Sequence, residues 1–158
     1  RFIHMLRDGR DVTVSAFHHK ERVLRELEQN DPDADLNNEA PALLHKWAEF
    51  TRSVLKAEAD GHSIHTVRYE TMLANPTDSL LGCLQHIVPN QRWDHALVQT
   101  AVDANSFRRK SGRDPGQTNN NAFLRKGQVG GWRDELDPAA LNRLQPKDQA
   151  LLKQLGYT

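Results

Sequence analysis

The chain has 158 residues, with Lys plus Arg and Asp plus Glu equal at 21 each and a pI of about 7.3, so no global field would draw it to nucleic acid or to an acidic membrane surface. That length suits one ordinary domain with its own core, and no run approaches the roughly 18 apolar residues of a spanning helix. The single cysteine, Cys83, sits in an apolar stretch, which fits a buried thiol in a reducing, cytoplasmic setting better than a disulfide framework or a nucleophile. Any anion recognition must therefore be local.

Phe2 to Leu6 is short and mostly apolar and runs straight into a Gly-containing loop, the pattern of a central strand in a covered parallel sheet. Asp11 is placed to cap the helix that follows, which carries Ala16, Phe17, Val23, Leu24 and Leu27 on one face. Free amides and the positive end of the helix dipole make the strand-to-helix junction an anion site, to which Arg7 can add a charged fork and Ser15 a hydroxyl. A second reading stays open: Arg7 and Arg10 pair with Asp8 and Asp11 as a structural network.

Asn30 to Asn38 reads as an exposed loop, and a second amphipathic helix runs from about Glu39 to Ala59 with Leu43, Leu44, Trp47, Phe50, Val54 and Leu55 inward. Beyond the Gly61 stop, His62 to Tyr69 reads as a strand, giving a strand, helix, helix, strand order that favours α/β architecture. Asn75-Pro76 starts a helix that Pro89 ends, and Trp93 to Val102 forms another. From Asp103 to Gly131 polar and basic residues without periodicity predict a long loop, functional or mobile. Asp137-Pro138 and Lys147 to Leu155 mark the last two helices, with Gly156 as a C-terminal cap.

Within the long loop, Leu124-Arg125-Lys126-Gly127 is followed by Gly130-Gly131-Trp132, two adjacent cations beside a residue that lets backbone approach a ligand. With the opening strand, loop and helix, this resembles the sulfotransferases that use 3′-phosphoadenosine 5′-phosphosulfate (PAPS). The resemblance rests on four ordered motifs over nearly the whole chain: LRDGRDVTVS, VRYETMLANP, Ser106-Phe107 and RKGQVGGW.

The resemblance implies a P-loop-like α/β fold, a parallel sheet flanked by helices, of which residues 1–158 form the C-terminal portion of a single domain. It implies that Arg7, Ser15, Arg125, Lys126 and the amide of Gly127 bind the 3′-phosphate, with Tyr69 and Phe107 against the adenine. The reaction implied moves a sulfuryl group from PAPS, as cosubstrate, to a small-molecule or biopolymer hydroxyl or amine. No metal, nucleic acid or membrane takes part.

Departures from the family pattern are Gly131 for its Asp before the late Trp, Gly9 for its frequent Pro, and Thr71 for an acid. Arg133 to Arg143 does not match the dimerisation pattern of many cytosolic members. The family's N-terminal phosphosulfate loop and catalytic base have no counterpart here, so no catalytic residue is assigned beyond Ser15 as a modulator, and the chain alone is expected to be inactive. The alternative is a non-catalytic module binding a nucleotide or a partner. His18, His19, His62 and His65 do not form a zinc-ligand pattern, and a P-loop kinase would not explain RKG followed by GGW.

Overall fold

In the computed structural model, which describes residues 1–158, two parallel strands, β1 (Phe2–Leu6) and β2 (Ile64–Arg68), pair in register from Phe2 opposite Ile64 to Leu6 opposite Arg68. Between them in the chain lie α1 (Gly9–Glu26) and α2 (Leu36–Ala59), the helical crossover that a parallel pair requires. Then come α3 (Tyr69–Ala74), α4 (Pro76–Ile87), α5 (His95–Ala104) and α6 (Phe107–Ser111), a 3-10 turn at Gly131–Asp134, α7 (Pro138–Asn142) and α8 (Pro146–Gln154). None of these helices is long and apolar enough to cross a membrane.

The chain forms two compact units: Arg1–Arg7 with Ser53–Gln117, and Asp8–Arg52 with Thr118–Thr158. In the first, β1 and β2 lie against α3 and α4, and Leu6, Val67, Cys83 and Val98 are buried. His4 joins this interior, its Nδ1 3.3 Å from Thr66 Oγ1. Burial holds the His4 imidazole below its ordinary pKa, with Glu58 pulling the other way.

In the second unit, Val14, Ala40, Trp132 and Leu136 make one cluster, and Leu44, Leu144 and Leu152 make another, with Trp47 and Tyr157 packed on it. Asp148, wholly buried at the start of α8, accepts from Arg52 at 2.6 Å and pairs with His45 Nδ1 at 2.9 Å, both on α2. That carboxylate joins the two helices, and its buried charge is matched on both oxygens.

Several local expectations give way to packing. The first helix starts at Gly9, capped by Asp8, whose Oδ1 accepts from the Arg10 amide at 2.9 Å; Asp11 lies inside the first turn. Strand β1 is not covered as a central strand would be, since Phe2, Ile3 and Met5 stay exposed. Phe50, assigned to the inner face of α2, is 61% exposed. Tyr69 opens α3 rather than closing β2, and the short helix α6 interrupts the predicted long loop.

Candidate functional site

The residues proposed for anion and adenine recognition fall in both units, and each set has its own geometry. In the first unit, β1 delivers Arg7 at its exit, and β2 delivers Tyr69 one residue past its own last position. Because the two strands are parallel and Leu6 pairs with Arg68, both exits lie at the same end of the sheet. There the Arg7 guanidinium carbon lies 4.4 Å from the centre of the Tyr69 ring, a cation stacked on an aromatic face. Phe107 begins α6, half-buried, with the Arg113 guanidinium 5.4 Å from its ring centre.

In the second unit, Arg10 is absorbed by structure. Its Nε and Nη2 donate to Asp8 at 3.0 and 2.8 Å, and its guanidinium carbon lies 3.9 Å over the Trp132 ring. The structural-network reading therefore holds for Arg10 with Asp8. Asp11 does something else: it is 3% exposed, and its two oxygens accept from the amides of Gly130 at 2.7 Å and Trp132 at 3.0 Å. One buried carboxylate thus pins the GGW segment to the first turn of α1.

Asp11, Ser15 and His18 recur at four and three residues, so they share one face of α1. Asp11 holds the backbone at 130 and 132, while His18 Nε2 lies 2.7 Å from Glu135 Oε2. Ser15 is exposed and lies between those two anchors on the same helix face. Arg125 and Lys126 sit in that loop, each with a side chain only 16% exposed, followed by Gly127 at φ 59°, a left-handed turn that favours glycine.

Neither cation points into solvent unpaired. Arg125 donates to both Glu135 oxygens, at 3.2 and 2.8 Å, and Lys126 lies 3.3 Å from Asp134 Oδ2 and 3.7 Å from Glu135 Oε1. Burial tends to raise the Glu135 carboxyl, but bonds from Arg125 and His18 outweigh it and hold the group below the usual carboxylate range. A Cβ on Gly131 would lie 3.3 Å from Lys126 Nζ, so a side chain at this position would face the same ammonium.

The sequence pattern assigns no role to Asp134 or Glu135, and His18 enters it only among histidines that do not form a zinc-ligand pattern. The one signal along the chain is the acidic pair Asp134-Glu135, which begins eight residues after Lys126 and could serve the two cations as a local counter-charge. No group of three or more metal-ligating side chains gathers anywhere in the chain.

Comparison with known proteins gives two findings. Residues 1–156 match the family described as the sulfotransferase domain. A solved structure described as retinol dehydratase in complex with androsterone and inactive cofactor PAP superposes with a TM-score of 0.68 at 20% identity, over 96% of this chain and 47% of that one. The likeness establishes a common fold, and the chain spans about half the length of that neighbour. No curated protein sequence matches.

Proposed function

Because the chain belongs to the sulfotransferase family, we propose that it contributes the 3′-phosphate and adenine half of a PAPS site in a cytoplasmic enzyme that sulfates a hydroxyl or amine. Arg125, Lys126, the Gly127 amide, Ser15 and Arg7 take the 3′-phosphate, and Tyr69 and Phe107 flank the adenine. PAPS supplies the sulfuryl group; these residues bind and orient its nucleotide end.

One observation carries the reading. Two adjacent, half-buried cations end at a left-handed glycine, in a loop fixed to the α1 face that bears Ser15. A phosphate dianion calls for several charge-assisted donors at once, and a loop with both cations pre-placed loses little freedom in supplying them. Stacking on Tyr69 or Phe107 would add about 1 to 3 kcal/mol for the base and is indifferent to the 3′-phosphate.

In sulfuryl transfer the acceptor oxygen or nitrogen attacks sulfur in line, its proton passes to a base, and the bond to the 5′-phosphate oxygen breaks as the nucleotide leaves. None of the residues assigned here takes that proton, so the chain alone is inactive in this account. A neighbour holding androsterone together with PAP supports a small-molecule acceptor.

The allocation is tested by discrimination between 3′-phosphoadenosine 5′-phosphate and AMP. Arg125→Ala and Arg7→Ala should each cut the preference for the 3′-phosphorylated ligand by about tenfold or more, leaving AMP binding within about twofold, as expected for a lost charged hydrogen bond. Lys153→Ala, on the exposed side of α8, should change neither. If all three variants behave alike, a generic cation effect replaces the assigned site.

A further inference from the structure

The loop assigned to the nucleotide's 3′-phosphate is electrically satisfied without one. Arg125 and Lys126 bring two positive charges, and Asp134 and Glu135 answer with two negative ones at 2.8 to 3.7 Å. Glu135 is the centre of this arrangement: one oxygen takes Arg125 Nη2, the other takes Arg125 Nη1 and His18 Nε2, and Lys126 stands close by. Its side chain is 19% exposed, whereas Asp134 is 70% exposed and reaches Lys126 alone. A carboxylate that engages a guanidinium through two parallel bonds covers the donor edge that a phosphate would use.

We propose that Glu135 is an internal competitor for the anion site: it occupies Arg125 and Lys126 while no ligand is bound, and a phosphate dianion enters by taking those donors from it. The inference rests on the assignment of these cations to the 3′-phosphate. It adds that the apparent affinity for the nucleotide is set by how readily Glu135 lets go.

Two physical points favour displacement over a permanent bridge. A phosphate placed beside an undisplaced Glu135 would set its negative charges against a carboxylate in a poorly solvated place, where repulsion is weakly screened. Glu135 is also just past the Gly131–Asp134 turn, so its side chain can swing without unwinding a long helix. His18 stays on α1 as a partner for the displaced carboxylate, which lowers the cost of release.

The opposite role is a positioning one, in which Glu135 orients Arg125 for the ligand, and the two roles predict opposite signs. In calorimetric titrations of the chain, Glu135→Gln should bind 3′-phosphoadenosine 5′-phosphate about fivefold tighter or more, because the binding-competent fraction rises, while AMP affinity stays within about twofold. The ligand-free variant should unfold at lower denaturant, since Arg125 loses its partner, and regain more stability than the native chain when the ligand is added. Glu135→Asp, which keeps the charge but shortens the reach, should show the same direction and covers the case in which the amide variant fails to fold. Unchanged or weaker binding of the 3′-phosphorylated ligand by both variants, with discrimination by the native chain intact, overturns the competitor role alone. A native chain that does not discriminate overturns the site assignment, and this inference with it.

Discussion

Replacing Asp11 by alanine is expected to lower the unfolding free energy by about 3 kcal/mol, a large share of the roughly 5 to 15 kcal/mol that a domain commands. The carboxylate is 3% exposed and accepts from two amides, at Gly130 and Trp132. Removing it strands both donors and cuts the tie between α1 and the segment that carries Trp132, itself in a core cluster with Val14. Asparagine keeps one acceptor oxygen but adds a donor where two N–H groups already converge, so Asp11→Asn should fall between native and alanine. Urea denaturation checks both, and a loss below about 1 kcal/mol for alanine would mean that the carboxylate does not clamp the loop.

Gly9→Ala is expected to be nearly as damaging, against the ordinary preference of helices for alanine over glycine. A Cβ there would stand 2.6 Å from Trp47 Cδ2 and 2.7 Å from Cζ3, inside the space of the indole. The backbone at Gly9 cannot retreat, because Asp8 caps the helix one residue earlier and accepts from Arg10. Trp47 must move instead, and it packs on the cluster of Leu44, Leu144 and Leu152. Overpacking of this kind costs about 1 to 3 kcal/mol. A double-mutant cycle isolates the cause: with Trp47→Leu in place, the added methyl should cost less than about 0.5 kcal/mol, and an unchanged penalty would place the strain elsewhere.

These two positions also mark what the sequence could and could not reveal. The apolar run of β1, the stop at Gly61, the Asn75-Pro76 start and Pro89 end of α4, and the helix after Asp137-Pro138 were legible because each depends on residues close along the chain. Helix α1 was legible as a helix, but its cap was not: Asp8 and Asp11 are both good capping residues, and what assigns Asp11 elsewhere is a pair of amides 119 and 121 residues away. Phe50 was placed inward by periodicity alone, and the exposure of β1 cannot be read from its apolar run, which records only what the strand is suited to meet.

The candidate site shows the same division. Arg7, Tyr69, Arg125, Lys126 and Gly127 were nameable from ordered motifs, and the parallel register places Arg7 on Tyr69 at one end of the sheet. The acidic pair Asp134-Glu135 is visible along the chain, but its pairing with Arg125 and Lys126 and the role of His18 depend on how the chain folds back after Trp132. Gly9, which departs from the family's frequent proline, is fixed by the indole beside it.

The proposed site should let this chain recognise the 3′-phosphate of an adenine nucleotide. Calorimetric titration of the folded chain with 3′-phosphoadenosine 5′-phosphate and, separately, with AMP tests it most directly, since the two ligands share a base and a 5′-phosphate. The 3′-phosphorylated ligand should bind at least about tenfold tighter, the worth of one or more charge-assisted donors. Equal affinity for both ligands, or no binding of either by a sample shown to be folded, would contradict it.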